Sequence, residues 1–91
     1  MKVILISTAL NDLKIFIDPF EFDESPKVGD NVGIMDFLSD KDKETFRNYC
    51  DNENKSEHPI IETRSWQFEN NETVLYLYLN HLDKPVKPFF F

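Results

Sequence analysis

Residues 60 to 79 carry the clearest alternation of apolar and polar positions in the chain. Two runs rich in β-branched and aromatic residues flank Asn70-Asn71, and asparagine tolerates the positive φ that a tight hairpin turn demands. A two-residue loop there sets Phe68 opposite Thr73, Trp66 opposite Leu75 and Arg64 opposite Leu77. One face then holds Trp66, Phe68, Leu75, Leu77 and Leu79 and is expected to face the core. The other holds Thr63, Ser65, Gln67, Val74, Tyr76 and Tyr78, a half-polar, tyrosine-bearing surface.

Upstream, Lys2 to Thr8 reads as a strand with apolar residues on both faces, Val3 and Leu5 against Ile4 and Ile6, as a covered central strand would show. Asn11-Asp12 signals a turn, and Leu13 to Asp18 resumes an alternating strand until Pro19 breaks the ladder. Phe20 and Phe22 alternate with Glu21 and Asp23 in a short edge-like extension. Pro26-Lys27-Val28-Gly29-Asp30 then predicts a turn with Gly29 in the strained conformation, Val28 and Val32 facing the core and a further strand starting at Val32. Ser39 is a good N-cap, Asp40 and Asp42 suit the first turn, and Phe46, Tyr49 and Cys50 form a narrow apolar stripe; a helix is predicted over Asp40 to Cys50.

These elements point to a mainly β domain with one helix: a small SH3-like barrel or curved antiparallel roll of about five strands, with the helix inserted before the C-terminal hairpin. An open α+β sheet with the helix on one face is the alternative. A chain of 91 residues supports a single domain over its whole length, with residues 83–91 as a Pro/Phe-rich tail.

Charge sharpens the picture. The net charge is −7, and the segment from Asp18 to Glu57 holds twelve acidic residues against five basic ones, so it accounts for all of it. A phosphate backbone would be repelled, and direct nucleic-acid binding is not expected. No apolar run is long enough to span a bilayer, Val3 to Ile6 is too short for a secretory signal, and the lone Cys50 allows no internal disulfide; a cytoplasmic location and no membrane association are expected. The triplets at Asn54 and Asn71 match the glycosylation pattern by chance on this reading.

Candidate chemistry is sparse. His58 and His81 have no second ligand at metal-site spacing, Cys50 sits on the apolar stripe as a small core residue, and two glycines make no phosphate loop. No catalytic, metal or cofactor site is assigned, and none is expected. Three features remain as interaction candidates. Glu62 and Arg64 fall on the core face of the hairpin near its outer end, where they reach the rim and pair or serve a polar contact. Tyr76 and Tyr78 lie side by side on the opposite face. Phe89, Phe90 and Phe91 follow Pro85 and Pro88, and such a run either packs on its own domain or enters a partner or a second copy. The sequence therefore predicts a non-catalytic module that binds another protein or forms a homodimer. The alternative is an acidic inhibitor that imitates nucleic acid in another protein's basic groove.

Overall fold

The computed structural model describes residues 1–24 and 26–84. Four strands form one sheet in the order β2-β1-β4-β3, with β1 at Lys2–Ile6, β2 at Phe20–Glu21, β3 at Ile60–Glu69 and β4 at Glu72–Asn80. The hairpin register is the one the Asn-Asn turn dictates: Phe68 pairs with Thr73, Trp66 with Leu75 and Arg64 with Leu77. Asn70 and Asn71 take φ of 49° and 64°, the mirror-image turn that matches strand twist.

The closed barrel and the antiparallel roll are not what forms. β1 runs parallel to β4, pairing Val3 with Leu75 and Leu5 with Leu77, and the sheet stays open with β2 and β3 as its edges. This is the open α+β arrangement. A central strand apolar on both sides fits the parallel pairing of β1. Two predicted strands are absent as such. Leu13 to Asp18 is irregular, although its alternation survives as burial: Ile15 is buried, Leu13 and Ile17 pack on the core, and Phe16 faces solvent. Ahead of it Thr8–Asp12 forms a short helix, α1, capped by Ser7 Oγ, which accepts from the Leu10 N–H at 3.1 Å. The strand expected from Val32 is a single bridge, Asn31 to Ile60, followed by one 3-10 turn at Ile34–Phe37.

The main helix, α2, spans Asp40–Glu53 with Ser39 as its N-cap, as predicted, and runs three residues past Cys50. It stops where Asn54 enters the left-handed region at φ 55° and donates its N–H to the Cys50 carbonyl. Phe46 and Cys50 are its buried residues, and they meet Val3, Ile34, Leu38, Ile61, Leu75, Leu77 and Leu79 in one core. Gly29 takes φ +95° in the expected turn, but Val28 beside it is exposed and only Val32 packs inward.

Trp66 corrects the sequence reading. It shares the face of Leu75, yet it is 49% exposed, and Phe68 is 72% exposed. The cause is one of length. A helix of 14 residues covers about 21 Å, whereas a strand of ten covers about 33 Å. The Phe46 ring packs by His81, beyond the far end of β4, with centroids 5.7 Å apart. The outer half of β3 therefore extends past the helix, and as an edge strand it has a neighbour on one side only. Trp66→Ala is expected to cost about 1 kcal/mol or less in chemical denaturation, not the several that truncating a core tryptophan costs.

Candidate functional site

The helix side of the sheet is only partly covered. Ahead of α2 the chain passes through the Pro26–Gly33 loop, which is hydrogen-bonded to the start of β3 through Gly29, Asp30 and Val32, and the Ile34–Phe37 turn. Between them and the sheet lies a groove of about 560 Å³. Leu5, Ile61 and Leu77 form its floor, and Phe20, Phe22 and Phe37 are aromatic walls. The walls hold each other: the rings of Phe20 and Phe37 lie 5.0 Å apart, and Phe22 meets Phe20 edge-on at 6.2 Å. Phe22 and Phe37 remain 44% and 39% exposed, so the groove offers apolar surface to solvent. Glu24, Asp30 and Asp36 border it against Lys27, which gives the opening a negative character.

Strand register extends this surface. Phe20 pairs with Val3, Val3 with Leu75 and Leu75 with Trp66, so the four residues form one row across the face. Arg64 stands in the next row, opposite Leu77, and donates through Nη1 to the Pro26 carbonyl at 3.1 Å, pinning the groove's loop to the sheet. Glu62, expected on the same face as Arg64, has no register partner on β4. A bulge between Ile61 and Thr63 shifts the register, because Ile61 pairs with Leu79 while Thr63 pairs with Tyr78.

The tyrosines lie on the opposite side of the sheet, away from the core. Tyr76 is half-buried and its hydroxyl donates to Glu69 Oε1 at 2.7 Å, which pushes its pKa up because the bond holds the proton. Tyr78 is 37% exposed, and Ile4 and Ile6 are the residues β1 sets beside the pair. Phe89, Phe90 and Phe91, with most of the predicted tail, lie outside the described residues. The tail's first two residues are anchored. Asp83 accepts from Lys55 at 2.7 Å and Lys84 donates to Asp51 at 2.8 Å, and the backbone bonds from Ser56 to Leu82 and from Lys84 to Asn54 strap this segment to the end of α2.

These ion pairs bear on the acidic segment. Asp51 has Lys84, Glu57 has Arg47 at 3.9 Å, and Lys55 answers Asp83, so the surface is a mixture of charges rather than an uninterrupted carboxylate array.

His81 follows directly on the end of β4. It is half-buried, stacked edge-on to Phe46, and shares a 2.7 Å hydrogen bond between Nε2 and Ser7 Oγ. The two residues are 74 positions apart, and no local pattern announces their meeting. The distance is that of a nucleophile and its base. Ser7, however, is 3% exposed and its oxygen caps α1, so the pair acts as a clasp joining the end of β4 to the end of β1. Burial, and then Lys55, push the His81 pKa below its ordinary 6.5. The unfolded chain therefore takes up this proton more readily than the folded one. The stabilisation is complete above about pH 6.5 and is lost as pH falls through the lowered value. Urea titrations at pH 7.5 and 5.5 are expected to show lower stability at 5.5, with a smaller difference in His81→Gln.

Cys50 is fully buried, its thiol donates to the Ser56 carbonyl at 3.8 Å, and burial with Glu57 nearby pushes its pKa up to about 11. A thiol so protonated is a poor nucleophile. Among the described residues, no three His, Cys, Asp or Glu side chains group to hold a metal ion, and no helix is long and apolar enough to cross a membrane. Comparisons with protein-family models, curated proteins and solved structures found no match to this chain.

Proposed function

We propose that this chain is a non-catalytic protein-binding module whose groove on the helix side takes an apolar segment flanked by basic residues. The observation that carries this reading is the exposure of Phe22 and Phe37 as walls of an open groove with a buried floor of Ile61 and Leu77. Rigid aromatic walls give large contact area at low entropic cost. The carboxylates of Glu24, Asp30 and Asp36 supply the preference for lysine and arginine on the incoming segment. This moves the favoured surface from the tyrosine face to the opposite side of the sheet, since Tyr76 already spends its hydroxyl on Glu69. A nucleic-acid-mimicking inhibitor draws less support, because Asp51 and Glu57 of the acidic segment are each paired with a base within the fold and Lys41, Lys43 and Arg47 interrupt the carboxylates along α2.

Two labelled peptides test the reading by fluorescence anisotropy, one with a Phe-Phe core flanked by lysines and one with the same core flanked by glutamates. The lysine peptide is expected to bind, the glutamate peptide to bind more weakly. Phe37→Ala is expected to weaken the lysine peptide by about tenfold or more. Equal binding of both peptides, or binding indifferent to Phe37, would contradict it.

A further inference from the structure

The outer edge of β3 is closed at one end and open at the other. At its start the Gly29 N–H donates to the Ile61 carbonyl at 2.8 Å and the Ile61 N–H donates to the Asp30 carbonyl at 2.9 Å, so a loop covers the strand there. Past the bulge, Arg64 is tied by its side chain to the loop at Pro26, and Ser65 to Glu69 have β4 as their strand neighbour.

The turn fixes which backbone groups face outward. In a two-residue hairpin the residues flanking the loop exchange both hydrogen bonds, and such pairs then alternate with pairs that exchange none. Glu69 with Glu72, Gln67 with Val74 and Ser65 with Tyr76 are thus the bonded pairs. Trp66 and Phe68 lie in the other class, so their N–H and C=O groups point away from β4. Among the described residues no backbone bond reaches these outward groups. Their side chains are also the two most exposed aromatics of the hairpin, at 49% and 72%.

Natural sheets blunt such edges with proline, lysine or a bulge. Thr63 to Glu69 contain none of these, and the charges of Arg64 and Glu69 cancel within the segment. In a chain of net charge −7, this neutral stretch lets two copies approach with little repulsion.

The geometry points to a second copy of this chain adding antiparallel to β3, about a two-fold axis through Gln67. Trp66 then exchanges both hydrogen bonds with the partner's Phe68, and Phe68 does the same with the partner's Trp66. The aromatic rings lie side by side across the seam. Ser65 faces the partner's Glu69 and Arg64 faces the partner's Asn70, so no like charges oppose. An axis perpendicular to the sheet keeps both grooves on one side, which makes the assembly bivalent. This inference stands on the strand edge and not on the groove.

Light scattering of the full chain over a concentration series is the first test. The expected result is a mass rising to about twice 10.8 kDa. Phe68→Lys, at an exposed position, is expected to keep the fold and weaken dimerisation by about tenfold or more. Gln67→Cys places two thiols in a non-bonded pair across the axis, about 4.5 Å apart at Cα, so mild oxidation is expected to cross-link it. Asn48→Cys on exposed α2 is expected not to cross-link. A monomer at every concentration would overturn the inference. So would a dimer that is indifferent to Phe68→Lys and does not cross-link through position 67.

Discussion

Phe46→Ala is expected to lower the stability by about 3–5 kcal/mol, the largest single loss available on the helix. The ring is fully buried and is the largest of the fully buried side chains among the described residues. It packs on Tyr49 at 6.3 Å and on His81 at 5.7 Å, so its removal opens a cavity bordered by the helix and the end of β4. The remainder of the helix stripe is narrow, with Cys50 as the other buried member. For a domain of this size each kcal/mol corresponds to about 4–8 °C in Tm. Urea denaturation of the variant checks the figure, and a loss below about 1 kcal/mol would mean that α2 is not docked through this ring.

Leu77→Ala is expected to cost about 2–5 kcal/mol, while Tyr78→Ala next to it costs about 1 kcal/mol. Leu77 is 1% exposed on the central strand, beside Leu5 on β1, and forms part of the groove floor. Tyr78 is 37% exposed on the other face. Adjacent residues on a strand point to opposite faces, so the contrast reads directly which side of the sheet holds the core. Leu77→Ala is also expected to weaken a peptide seated in the groove, because the floor it packs against recedes. Equal losses at the two positions would contradict the division of faces.

The hairpin and α2 were legible because their determinants are local. Asn70-Asn71 specify the turn, the turn specifies the register, and Ser39 with Asp40 and Asp42 specify the helix start. What was not legible depends on distant partners. Periodicity states that Trp66 lies on the face of Leu75, but burial needs something on top of it, and α2 is too short to reach. The choice of β4 as the parallel neighbour of β1 joins residues some 70 positions apart, and no residue of β1 encodes it. The clasp between Ser7 and His81 is hidden for the same reason. The groove is not legible because its loop reads as a turn and a strand start, and its lining is assembled from β1, β3, β4 and the chain between Phe20 and Phe37. The bulge after Ile61, which leaves Glu62 without a register partner, is likewise not signalled by simple alternation.

The central claim, that the helix-side groove is the interaction surface, is tested most directly by titrating isotope-labelled protein with the lysine-flanked Phe-Phe peptide and following backbone amide shifts. The account predicts shifts concentrated at Phe20, Phe22, Gly33, Phe37, Ile61 and Leu77, with Ile4, Ile6, Tyr76 and Tyr78 little changed. Shifts centred on Tyr76 and Tyr78, or none at saturating peptide, would contradict it.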